Sequence, residues 1–385
     1  MRRIPFLSWQ PIIQSPRVSY LLLPPMEFIK AIVDLCAIKR NYLKISELVG
    51  AVTTSVVLKS NAYGLGSIRV SQALYDVGCR YFWVAYLKEA LALQKVLPAD
   101  ANLFYLQGFQ KSDLQIIKNS NIVPVINSLH EFEQISKNNV AFALHVDTGL
   151  SRCGLRPEDI DRVLPALAYE RVVCVLSHLA CSDEKDNPMN SAQKNLFDEL
   201  LAKIRTRTDT KASIAATGGT LLGREYFYDM VRIGSFLYRI QISTDMDAEN
   251  VLTLETRVLQ KYNLSAGHTV GYGATFTATR ALKLAVVSIG YADGLKRSLS
   301  NKGIVGFYDE DRFYKAPIIG RISMDMTACD VSEIPDELTE PGATATILSE
   351  DYTVKDMAED AGVIPSEILT GLNFSPERIS RVYVE

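Results

Sequence analysis

Ser55-Val-Val-Leu-Lys59 runs directly into Ser60-Asn-Ala-Tyr-Gly-Leu-Gly66, and the reading of this stretch decides the fold. The first five residues are a short, largely apolar run that stops on a cation. Two glycines then break the chain, and Ser67–Val77 follows with apolar residues near i, i+3 and i+4. A buried strand, a turn and an amphipathic helix in that order make one half of a βαβ unit.

The same unit recurs down the chain. Apolar runs ending in a polar or glycine residue stand at Ser55–Lys59, Tyr81–Tyr86, Leu103–Gly108, Val123–Asn127, Ala141–Asp147, Val172–His178, Ser213–Thr217 and Val231–Tyr238. Helix-like stretches such as Leu87–Val96 lie between them. Short strands alternating with helices imply a parallel sheet. Eight candidate strands point to a (β/α)8 TIM-like barrel, with an open doubly wound sheet as the alternative that periodicity leaves standing.

Beyond about residue 250 the pattern changes. Val251–Gln260, Thr275–Thr279, Leu282–Ile289, Ala316–Ile319, Met326–Val331 and Thr344–Leu348 read as strands between Gly, Pro and Asp clusters, and no long helix appears before Val354–Ala361. A second, mostly β domain is expected. The division is 1–25 as an N-terminal extension, 26–250 as the barrel and 251–385 as the β domain.

Bulk properties narrow the function. The chain has 385 residues, and its net charge of −3 gives no general attraction for nucleic acid or an anionic membrane. The six cysteines form no Cys-x-x-Cys pair, and no apolar stretch is fit to span a bilayer, so a reducing, cytoplasmic setting is expected. Met1-Arg-Arg opens like a signal peptide, but prolines at 11, 16, 24 and 25 interrupt any apolar segment. A disordered extension, or a start at Met26, is the expectation.

Catalytic groups of a barrel sit where its strands end. Here those ends offer Lys59, Asp147 with Arg152 just beyond, His178, and Thr217-Gly-Gly. A lysine there can have its pKa lowered by burial and nearby cations, enough to form an imine with a carbonyl. Each signal has an ordinary counterpart: an exposed lysine, a satisfied core histidine, a plain turn. No histidine or cysteine cluster has metal-ligand spacing, so no metal is expected.

The order of these signals is more specific. Val57-Leu-Lys-Ser-Asn-Ala-Tyr-Gly-Leu-Gly66 is followed by Val146-Asp-Thr-Gly-Leu-Ser-Arg152, Ser177-His178, Val231-Arg-Ile-Gly234, Val270-Gly-Tyr272-Gly, Ser288-Ile-Gly-Tyr291 and Gly320-Arg-Ile-Ser-Met324-Asp325. From about residue 30 onward the chain resembles the alanine racemases, pyridoxal-phosphate enzymes built as a barrel plus a β domain.

That resemblance implies a role for each matching residue. Lys59 would carry the cofactor, and Tyr63, Thr217, Gly234 and Ser235 would hold its phosphate. His178 would lie against its ring, and Arg232 would donate to the ring nitrogen. Arg152, Met324 and Tyr291 would serve the substrate, with Lys59 and Tyr272 as two opposed bases. The family takes Tyr272 and Met324 from a partner subunit, so a homodimer is implied. The implied reaction is interconversion of L- and D-alanine, feeding peptidoglycan. A racemase of broader or different substrate (serine or basic amino acids) and a non-catalytic cofactor-binding protein are the alternatives.

Four positions depart from the family pattern. His145 stands where a lysine, often carbamylated, usually orients the substrate-binding arginine, so Arg152 must be held otherwise, with His145 itself a candidate. Ala216 replaces a common asparagine, Lys296 a common proline, and Phe374 a tyrosine whose hydroxyl reaches the phosphate.

Overall fold

The computed structural model describes residues 28–240, 246–375 and 377–385. The expected extension 1–25 and the start at Met26 therefore lie outside the described residues.

Strand β1 (Lys30–Asp34) comes first, and Asp34 caps the helix Leu35–Val49 by accepting a hydrogen bond from Ala37 N at 2.8 Å. Eight strands then build the barrel: β2 (Thr53–Val57), β3 (Tyr81–Val84), β4 (Asn102–Tyr105), β5 (Ile122–Ile126), β6 (Ala141–His145), β7 (Arg171–Leu176), β8 (Lys211–Ser213) and β9 (Met230–Ile233). Their order in the sheet is β8-β7-β6-β5-β4-β3-β2-β9, with parallel pairing throughout. The ends meet where Asp229 N donates to Ala212 O at 3.1 Å, Arg232 N to Ala215 O at 2.9 Å, and Ala216 bridges Arg232. The barrel reading stands, and the open-sheet alternative falls on that seam.

Inward-facing side chains fill the barrel. Trp83, Phe104, Val123, Val125, Ala143, Cys174, Leu176 and Met230 form one buried cluster, in which Trp83 stacks on Phe104 with centroids 4.1 Å apart. This plug leaves room for chemistry only at the rims.

The second unit is a sheet of β10 (Leu252–Leu264), β13 (Leu282–Val287), β14 (Ile304–Asp309), β15 (Arg312–Pro317), β16 (Thr327–Asp330), β17 (Thr344–Leu348) and β18 (Ser380–Val384), with a ribbon of β11 (Thr269–Val270) and β12 (Phe276–Thr277) beside it. The helix Val354–Ala361 falls where the sequence places it, and Pro365–Gly371 adds a second. Strand β1 does not join the barrel. It lies between β10 (antiparallel) and β18 (parallel), so the first described strand belongs to the second sheet, across the division expected at residue 250.

The sequence runs overshoot their strands by a few residues. Lys59, His178 and Thr217 stand past the ends of β2, β7 and β8, in the loops of the barrel's C-terminal rim. Arg232 alone of the candidates remains inside a strand, β9.

Candidate active site

The loop after β2 has an unusual handedness. Ser60, Asn61, Ala62 and Tyr63 all have φ between 54° and 56°, a left-handed turn that costs ordinary residues about 1–2 kcal/mol each. Its neighbours enforce it. Ala62 N donates to Leu58 O at 2.8 Å, Gly66 N to Asn61 O at 2.9 Å, and Ser67 N to the Asn61 side-chain oxygen at 2.8 Å. Gly64 (φ 93°) lets the Phe374 ring approach, since a Cβ there would stand 2.7 Å from it. The turn throws Lys59 and Tyr63 toward one cavity.

That cavity, of about 260 Å³, is lined by Lys59, Tyr63, His145, Arg152, His178, Thr217, Arg232, Gly234 and Ser235. All the cofactor-binding candidates and Arg152 are therefore brought together.

Arg232 is the most constrained of them. Its Nη1 donates to Ser213 O at 2.8 Å and Ser213 Oγ at 2.6 Å, and its Nη2 to Ser177 O at 2.6 Å and Ile214 O at 3.4 Å. Nε makes no hydrogen bond among the described residues. Burial lowers the Arg232 pKa to about 10, which leaves it charged at neutral pH. No carboxylate pairs with it, and its guanidinium carbon lies 5.8 Å from the centre of the Trp83 ring. A buried cation with one donor aimed into a cavity calls for an acceptor there.

Electrostatics shape the other groups similarly. The Lys59 pKa is lowered, first by burial and then by the Arg152 cation, with Glu89 opposing. His178 is pushed down to about 3 and His145 to about 4, each by burial and then by Arg232 and Arg152. Both imidazoles are thus neutral at working pH. Burial pushes the Tyr63 hydroxyl up to about 12, so it stays protonated and can donate.

Around the turn between β9 and the helical turn Ser235–Tyr238, Thr217 Oγ1 accepts from Gly234 N at 3.2 Å and from Phe236 N at 3.4 Å. A Cβ on Gly234 would stand 3.1 Å from the Tyr63 hydroxyl and 3.3 Å from Val57. Glycine therefore opens a cradle beside the hydroxyls of Tyr63, Thr217 and Ser235. Lys59 Nζ, Tyr63 Oη, Arg232 Nε and Arg152 all lack a hydrogen-bond partner among the described residues. One amine for an imine, one donor for a ring nitrogen and a hydroxyl-lined cradle for a phosphate match pyridoxal phosphate group by group.

Three candidates stand apart. Tyr272, Tyr291 and Met324 do not line the cavity of their own chain; they lie on the second domain and are 71%, 42% and 53% exposed. Their backbone is firm all the same. Tyr291 N donates to Ser323 O at 3.1 Å, Ala292 N to Met324 O at 3.0 Å, and Arg378 joins Asp293 and Asp325 at 2.7 Å each.

Of the departures, His145 makes no bond to Arg152. Its Nδ1 meets Asn127 Oδ1 at 2.8 Å, a partner that sequence reasoning missed although Asn127 ends a strand run. Phe374 packs on Gly64 with the Arg381 guanidinium 4.7 Å above its ring, and Lys296 pairs with Glu367 at 3.0 Å. No group of metal-ligating side chains occurs among the described residues, and no helix among them is long and apolar enough to cross a membrane.

Two family models match: the alanine racemase N-terminal domain over residues 33–241 and the C-terminal domain over 251–383. An alanine racemase of Brucella abortus is 38% identical over 377 residues, covering 91% of this chain and 92% of its own. A catabolic alanine racemase of Agrobacterium fabrum is 38% identical over 365 residues, covering 92% and 91%. Among solved structures, an alanine racemase of Bartonella henselae with covalently bound pyridoxal phosphate is similar with a TM-score of 0.85 at 33% identity, over 93% of this chain and 99% of that one.

Proposed function

The chain belongs to the alanine racemase family, and on that premise we propose how its residues interconvert L-alanine and D-alanine. The activity is that of a pyridoxal-phosphate-dependent isomerase. When bound, the cofactor supplies an electron-poor ring that stabilises the charge left on the substrate's α-carbon as its proton departs.

Lys59 would hold the cofactor covalently and would move a proton on one face of the substrate's α-carbon. Burial and the Arg152 cation lower its pKa, the direction that favours the free amine. Tyr272 of the partner chain serves the opposite face. Tyr63, Thr217, Gly234 and Ser235 bind the phosphate, and His178 lies against the ring as an uncharged flat surface. Arg232 would donate to the ring nitrogen through Nε. Arginine does not surrender that proton, so it would leave the nitrogen less positive than a carboxylate partner does and limit side reactions. Arg152 binds the substrate carboxylate, assisted by the Met324 N–H and Tyr291 from across the interface.

The observation that carries this reading is the buried Arg232, fixed by four bonds of 2.6–3.4 Å and left with Nε as its one free donor beside Lys59's cavity. A homodimer follows from the exposed Tyr272, Tyr291 and Met324, which find no cavity in their own chain. A cytoplasmic enzyme supplying D-alanine to peptidoglycan is the setting in which the reaction would serve.

Chiral analysis of each L-amino acid incubated with protein and pyridoxal phosphate is the test. Alanine should racemise fastest, ahead of serine and lysine. Lys59→Ala should be colourless and lower turnover by about 10³-fold or more, the loss of both anchor and base. A colourless, cofactor-indifferent wild type would overturn the reading, and a clear preference for serine or lysine would overturn the substrate.

A further inference from the structure

Asn127, at the end of β5, has an amide whose orientation is fixed by two backbone carbonyls. Its Nδ2 donates to Leu106 O at 2.9 Å and to Val125 O at 3.1 Å. Oδ1 therefore faces His145 and can only accept, so the proton in their 2.8 Å contact sits on His145 Nδ1. A neutral imidazole protonated at Nδ1 has a bare lone pair on Nε2. His145 is buried and lines the same cavity as Arg152.

The loop that carries Arg152 is stitched to these same two residues. Gly154 N donates to Asn127 O at 3.1 Å and Leu155 N to His145 O at 2.8 Å, while Asp147 N returns to Leu155 O at 2.9 Å. Gly154 has φ 115°, and a Cβ on it would stand 2.7 Å from Asp147 N, so the loop has room for glycine alone at this crossing. Arg152 itself, one of three cations at the cavity, takes part in no ion pair among the described residues.

We infer that Asn127 and His145 form a positioning pair for Arg152: the uncharged Nε2 of His145, which makes no bond to Arg152 by itself, accepts a hydrogen bond from the guanidinium when a substrate carboxylate is bound and so turns its remaining donors toward that carboxylate. This rests on the proposed role of Arg152. An anionic partner would orient the arginine and also neutralise it. A neutral imidazole orients it and leaves its whole charge for the carboxylate. The same unspent charge acts on Lys59, whose amine Arg152 helps to hold below its usual pKa.

The test uses holoenzyme and propionate, a carboxylate without an amine, with binding read as a change in the absorbance of the bound cofactor. Arg152→Ala should weaken propionate about 100-fold. His145→Phe should weaken it about tenfold and raise the KM for alanine in step, with kcat within about threefold, as for loss of one charge-assisted hydrogen bond. His145→Gln, whose amide can donate to Asn127 and accept from Arg152, should restore most of both. Asn127→Ala, which frees the ring without removing it, should fall between and stands in if the phenylalanine variant misfolds. Propionate affinity within twofold of wild type in His145→Phe and Asn127→Ala, with Arg152→Ala impaired, overturns the inference. Equal loss in His145→Gln and His145→Phe overturns it as well. Unchanged binding in Arg152→Ala overturns the assignment of Arg152 itself.

Discussion

The barrel rim and the outer edge of the second domain, the two regions to which the proposed reaction assigns its residues, are built in opposite states. At the rim, Lys59, Arg152, Arg232, His145 and His178 crowd a cavity of about 260 Å³, and several of their polar atoms have no partner. At the edge, Tyr272, Tyr291 and Met324 stand in the open, the last two beside Asp293 and Asp325, which Arg378 joins. The first region is a set of donors without a ligand, and the second is a set of side chains without a cavity. Preorganisation is common to both, but only the rim can bind anything by itself. In the proposed homodimer the edge would acquire a role when a second chain brings a cavity to it.

The hardest way to break this comparison is to divide the two halves between chains. Lys59→Ala and Tyr272→Phe homodimers should each lose nearly all racemisation. Refolded together, they should recover activity at about a quarter of the sites, since random two-fold pairing makes half the dimers hybrid and each hybrid has one intact site. Chiral chromatography of the mixture measures it, and no recovery would mean that each cavity is completed within one chain.

A smaller effect separates the regions by pH. His145 and His178 sit at about 4 and 3 when folded, against 6.5 when unfolded. Depressed folded values mean that the unfolded chain takes up protons first. Stability from these two is complete above about pH 6.5 and is lost as pH falls from there toward 4 and 3. Linkage sets about 2 kcal/mol lost between pH 6 and 5. Urea midpoints across that range should fall more steeply in wild type than in a His145→Gln, His178→Gln variant. The exposed edge has no such group.

The smallest sharpening concerns the rim alone. Phe374→Tyr should add one hydroxyl toward the phosphate cradle, worth on the order of 1 kcal/mol, or about fivefold tighter cofactor in a titration of apoenzyme.

How much of this could be read without the structure follows from where each signal resides. The eight barrel strands announce themselves because each is a continuous buried run that stops on a polar residue. Strands β1 and β18 do not, because their partners are remote: Lys30 lies opposite Ser380, and no local pattern encodes that. The left-handed turn at Ser60–Tyr63 is equally silent, as three of its four residues carry no preference for positive φ and the surroundings impose it. Site residues conspicuous at strand ends, such as Lys59 and His178, were legible one by one. Asn127 was not, since an asparagine closing a strand is ordinary until its two carbonyl partners are seen to fix its amide.

The pairing of β1 with β18 also has a consequence for how the chain is made. During synthesis β1 emerges before every other described strand, yet its two neighbours are β10 and β18, and the second of these follows only after the whole barrel and the rest of the second sheet. Until then β1 offers one bare edge to anything nearby, even if the barrel behind it has already folded. Gly66, in the loop after Lys59, packs against Tyr383 on that same final strand. The loop after Lys59 therefore takes its final form only once β18 has emerged, and a chain stalled before β18 would hold a barrel with an unfinished rim.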